Sequence, residues 1–116
     1  KLAALVAMDF ELPICDRNKL AVWFAFWGES KSRPTYRKIC AERDAAYRED
    51  LVAICRELIE QRGYLEVDAG TVAAGLNSMT SGLWLEILTS PRRATRDRAQ
   101  AICMAYLASC FPRDFQ

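Results

Sequence analysis

The 116-residue sequence predicts an all-α fold, an antiparallel bundle of about five helices. Three observations carry that prediction. Residues 35–62 hold neither glycine nor proline, and apolar side chains recur there at helical spacing, among them Ile39, Cys40, Tyr47, Leu51, Ile54, Cys55 and Leu58. Segments 68–89 and 95–111 repeat the same period on either side of the break Ser90-Pro91-Arg92-Arg93. Finally, Leu20-Ala21-Val22-Trp23-Phe24-Ala25-Phe26-Trp27 crowds four aromatic rings into eight residues, a pattern no half-buried strand needs.

Taken in order, the first helix carries Leu2, Leu5, Val6 and Phe10 on a short apolar stripe and ends before Pro13. The second starts near Asp16 or Asn18, either of which can accept hydrogen bonds from the first free N–H groups, and runs through the aromatic block to Gly28. Ser30-Lys31-Ser32-Arg33-Pro34 is a turn, and Pro34 suits the opening turn of the third helix because a first-turn N–H has no partner to lose. That helix spans Thr35 to about Arg62, roughly 40 Å at about 1.5 Å per residue, and Gly63 supplies the left-handed residue that stops it. Asp68 caps a fourth helix reaching about Thr89, in which Ala74, Ser78, Ser81 and Gly82 allow a neighbouring backbone to come close. The last helix runs from about Thr95 to Phe111, and Pro112 stops it.

Composition narrows the function. A net charge of +1 creates no field that would draw nucleic acid or anionic lipid, and no apolar run reaches the ~18 residues that a membrane span requires. The five cysteines form no C-x-x-C pair and stand beside apolar residues, which predicts reduced, buried thiols in a cytoplasmic protein. Without histidine there is no ordinary nucleophile triad, phosphorelay site or zinc site, and no glycine-rich nucleotide loop occurs. An enzyme, a metal and a cofactor are therefore not expected. The arginines Arg92, Arg93, Arg96 and Arg98 lack interleaved aromatics and read as a solvated turn. The sequence opens on Lys1 already inside a helical pattern, and we expect the chain to be part of something longer.

What remains is binding. Trp23 and Trp27, at i, i+4, share one helical face, and indole faces attract cations without pairing them. The candidate site is an aromatic box of Trp23, Phe26, Trp27, Tyr36 and Trp84, with Glu29 (or Glu86) as counter-charge; the bland alternative is that all these rings are core. The 68–89 and 95–111 helices are apolar on more than one face, which suggests a homodimer interface including Val72, Leu76, Met79, Leu83, Ile102 and Tyr106. The alternative is that both faces are buried within one bundle.

Ala21-Val22-Trp23-Phe24-Ala25-Phe26-Trp27 and Ser81-Gly82-Leu83-Trp84-Leu85, with the helix order around them, resemble the C-terminal region of TetR-family repressors. The similarity is to the BetI branch, which regulates choline-to-glycine-betaine synthesis. Its segments read "A-W-L-A-F-W" and "D-G-L-W-L", so Ser81 stands where an acid is usual. The resemblance implies a ligand-binding and dimerisation domain and a homodimer joined through the last two helices. It also implies a small-molecule effector such as choline, and DNA contact only through a helix-turn-helix outside this sequence. A helical interaction module without any ligand is the rival expectation.

Overall fold

The computed structural model describes residues 2–12, 14–30, 32–90, 92 and 95–115, with the side chains of residues 30 and 36 excepted. Five helices follow one another: α1 (Leu2–Asp9), α2 (Arg17–Ser30), α3 (Pro34–Arg62), α4 (Ala69–Thr89) and α5 (Arg96–Cys110). No strand occurs among the described residues. The expected breaks at Pro13 and Pro91 fall outside the described residues, as do Lys1, Lys31 and Arg93.

Four of the helix ends have a local chemical cause. The Asp16 carboxylate accepts from the Lys19 N–H at 3.2 Å and opens α2. Asp68 accepts from both the backbone N–H (2.9 Å) and the hydroxyl (2.7 Å) of Thr71, and Thr95 Oγ1 accepts from the Arg98 N–H at 3.1 Å. Gly63, at φ 71°, takes the left-handed conformation that closes α3, its N–H reaching Ile59 O.

The molecule is a slab of 43 × 34 × 19 Å, about two helices thick. Within it α4 packs against α2, α3 and α5, while α1 lies on α5. One core runs through Leu2, Val6 and Phe10, then Leu51 and Cys55, then Val72, Leu76 and Leu83, and finally Cys103, Leu107 and Phe111. Cys15, Cys40, Cys55 and Cys103 are buried free thiols, and Cys110 is half-buried. Burial pushes the Cys55 thiol up to about 11, where it behaves as a small apolar group.

Two expectations change here. Val72, Leu76 and Leu83 do not form an outer face: they are buried within this chain, because α4 is flanked by three helices and needs apolar side chains on several sides. Met79, Ile102 and Tyr106 are half-buried against the same core, and the Tyr106 hydroxyl donates to Val72 O at 3.3 Å across the α4–α5 hairpin. The close approach also lies elsewhere than expected. Gly82 has open space around its Cα, whereas a methyl at Gly75 would overlap the Tyr106 hydroxyl and come within 3.0 Å of its Cζ.

Gly75→Ala is therefore expected to destabilise despite alanine's better helix propensity. Overpacking costs about 1–3 kcal/mol against a propensity gain of about 1 kcal/mol. In a Tyr106→Phe background the loss should shrink, because the overlapping hydroxyl is gone. Denaturant unfolding of the wild type and the three variants checks this, and an equal loss in both backgrounds would contradict it.

Candidate effector site

The aromatic block of α2 is not covered all round. Leu20 is buried and Phe24 packs against the core, but Val22 is 70% exposed and Trp27 is 40% exposed. The other face, one helical turn long, carries Trp23 and Trp27. Their rings stack with centroids 6.4 Å apart and planes at 27°. Phe24 braces Trp27 from the side, 5.7 Å away.

These two indoles and Trp84 of α4 line one cavity of about 410 Å³ between α2, α3 and α4. The other lining residues are Arg43, Asp44, Tyr47 and Arg48 from α3, with Asn77, Ser78, Thr80 and Ser81 from α4. The structure thus brings together Trp23, Trp27 and Trp84 as the sequence suggested. It leaves out Phe26, which is half-buried but not part of the lining. The Tyr36 side chain lies outside the described residues. Glu29 is not the counter-charge: it is exposed near the end of α2 and pairs with Arg33 at 3.2 Å, an i, i+4 contact held by the α2–α3 turn. Glu86 is likewise exposed and absent from the lining. The carboxylate that does line the cavity is Asp44, half-buried on α3.

At a centroid separation of 6.4 Å the two indoles are in contact with one another, within the roughly 4.5–7 Å of packed ring pairs, so a trimethylammonium-sized group has no room between them. A bound group must instead reach them from the cavity, where Tyr47 and Trp84 supply further walls from other helices. Both of those rings are fixed by one residue. The Tyr47 hydroxyl donates to Asp9 Oδ2 and the Trp84 indole N–H donates to the Asp9 main-chain oxygen, each at 2.9 Å. Asp9 is 7% exposed, and it closes α1. Sequence reasoning missed it because a lone acid at a helix end normally faces water.

Burial raises the Asp9 carboxyl above its ordinary pKa, and the Tyr47 hydroxyl offsets part of that rise. A carboxyl raised on folding contributes stability at low pH that is lost as pH rises through the raised value. Asp9→Asn keeps an acceptor for Tyr47 and removes the charge. We expect the variant to match the wild type below the ordinary carboxyl value of about 4, to gain on it in thermal unfolding as pH rises from there, and to keep a constant lead once the folded carboxyl has ionised. A wild type that gains on the variant with rising pH would refute this account of Asp9.

Among the described residues no cluster of acids, thiols and imidazoles is placed to hold a metal ion. Nor is any helix of these residues long and apolar enough to cross a membrane. The geometry is that of a small binding cavity with aromatic walls.

Comparison with known proteins gives the class. The family of BetI-type transcriptional repressor C-terminal domains matches residues 1–112, and the chain belongs to it. Among individual relatives, it is 24% identical over 106 residues to the HTH-type transcriptional regulator BetI 1 of Chromohalobacter salexigens, covering 91% of this chain and 50% of that protein. It is 26% identical to BetI 2 of the same organism, covering 91% of this chain and 49% of the relative. A crystal structure of a protein described as a transcriptional regulator of Pseudomonas aeruginosa PAO1 superposes with a TM-score of 0.86 at 30% identity, covering 99% of this chain and 57% of that one. The chain spans about half the length of the curated relatives it matches.

Proposed function

We propose that this chain is the effector-binding and homodimerisation part of a TetR/BetI-like transcriptional repressor, and that its cavity takes choline or a related quaternary ammonium compound. The observation that carries the reading is the meeting of Trp23, Trp27 and Trp84, with Tyr47, around one cavity of about 410 Å³. That volume lies within the roughly 300–1,000 Å³ of small-molecule sites. Each good cation–π contact contributes about 0.5–2 kcal/mol, so two or three indole walls give useful affinity. In this reading the protein is cytoplasmic and not an enzyme, and it contacts DNA through a helix-turn-helix in the remaining half of the protein.

For the dimer, the exposed small residues offer a better surface than the buried Val72, Leu76 and Leu83. Ala74, Gly82 and Leu85 on α4, and Ala101, Ala105 and Ser109 on α5, face solvent in the single chain, and the α5 residues are spaced four apart. Small side chains at that spacing let two helices from separate copies approach closely.

Titration with choline and betaine aldehyde up to millimolar concentration tests the effector reading, followed by calorimetry and tryptophan fluorescence. A saturable signal supports it. Silence in both measurements would leave an interaction module without a small-molecule ligand. Sedimentation tests the dimer separately: a monomer at high micromolar concentration would count against it, and Ala105→Arg should dissociate a dimer without loss of helix.

A further inference from the structure

The charges around the cavity bear on what the effector carries, given that the cavity is an effector site. All its charged lining residues come from one face of α3: Arg43 and Arg48 are exposed and cationic, and Asp44 is half-buried and anionic. Being both exposed and part of the lining, these two arginines lie at the edge of the cavity. The α4 wall adds only neutral groups, with Asn77, Ser78, Thr80 and Ser81 supplying an amide and three hydroxyls.

Asp44 and Arg48 stand at i, i+4 with the acid first, the order that favours pairing on a helix. No ion pair joins them, and among the described residues neither Arg43 nor Arg48 has a hydrogen-bond, ion-pair or ring partner. The lining therefore carries two open cationic forks and one carboxylate. A bare organic cation would meet a net positive mouth, while an anionic group would meet two donors shaped for a carboxylate.

We infer that the cavity takes an organic acid, best of all a zwitterion in which a quaternary ammonium and a carboxylate are a few bonds apart. The indole faces and Asp44 receive the ammonium, and Arg43 and Arg48 receive the carboxylate. Choline, which has the same ammonium and no acid, binds the same walls more weakly.

Calorimetry with four probes tests this: choline, trimethylglycine, and their uncharged-carbon counterparts 3,3-dimethylbutanol and 3,3-dimethylbutanoate. Trimethylglycine should bind at least about tenfold more tightly than choline, the scale of one charge-assisted contact. The preference should fall away in Arg43→Gln/Arg48→Gln, whose exposed positions leave helical content unchanged by circular dichroism. Rising salt should erode it as well. Choline binding as tightly as trimethylglycine, or a preference that survives the double substitution, overturns the inference and leaves the effector reading standing. Arginine-dependent binding of 3,3-dimethylbutanoate with none of choline supports the acid recognition and removes the quaternary ammonium from the reading above. Failure of all four probes overturns both.

Discussion

Trp27→Ala is expected to weaken binding of a quaternary ammonium probe by about thirtyfold while the domain stays folded. The two effects separate because of where the ring lies. Trp27 is 40% exposed, so its removal forfeits only part of a buried aromatic's contribution, roughly 1–2 kcal/mol against a total of about 5–15 kcal/mol. Stacking on Trp23 and bracing by Phe24 hold the ring in place, and its remaining surface, on the cavity side, is what a ligand would meet. Fluorescence titration beside a circular dichroism melt checks both halves. If affinity is unchanged, the rings are wall filler and the site must be sought elsewhere. If the melt collapses, Trp27 is core in spite of its exposure.

Phe111→Ala is expected to do the opposite, destabilising the domain by about 3–5 kcal/mol and lowering Tm by more than about 10 °C. Phe111 is 0% exposed and meets Tyr64 edge-on at 5.0 Å, with Phe115 beyond it at 6.1 Å. Around this aromatic knot the chain end is tied to the α3–α4 turn. Arg113 donates to Arg62 O at 2.6 Å and lies 4.5 Å over the Tyr64 ring, and Arg62 pairs with Asp114 at 2.8 Å. Truncating Phe111 leaves a cavity that these surface contacts are too solvent-screened to offset. Chemical denaturation measures the loss. A change below about 1 kcal/mol would mean that the knot repacks around the missing ring.

The helices themselves were readable because single residues end them. Asp68 and Thr95 act through hydrogen bonds from the residue three positions on and Gly63 through one backbone angle, which is local chemistry that a sequence displays directly. The indole part of the site was readable for a similar reason: i, i+4 spacing alone puts Trp23 and Trp27 side by side. The α3 wall was not. Arg43, Asp44, Tyr47 and Arg48 share a helical face, but whether that face meets solvent or Trp84 depends on how α3 is rotated against α2 and α4. A tertiary choice of that kind leaves no mark in periodicity. The same gap misplaced Val72, Leu76 and Leu83, since a helix apolar on two sides looks alike whether a second copy or its own neighbours cover it.

Asp9 has a mechanical meaning beyond its hydrogen bonds. Tyr47 and Trp84 stand on different helices, yet both rings are pinned to one residue, by its side chain and by its main chain respectively. The cavity is in that sense a vice whose two jaws share a single pivot. Displacing either ring strains a tie to the last residue of α1, so the first helix, which lines none of the cavity, helps to hold two of its walls.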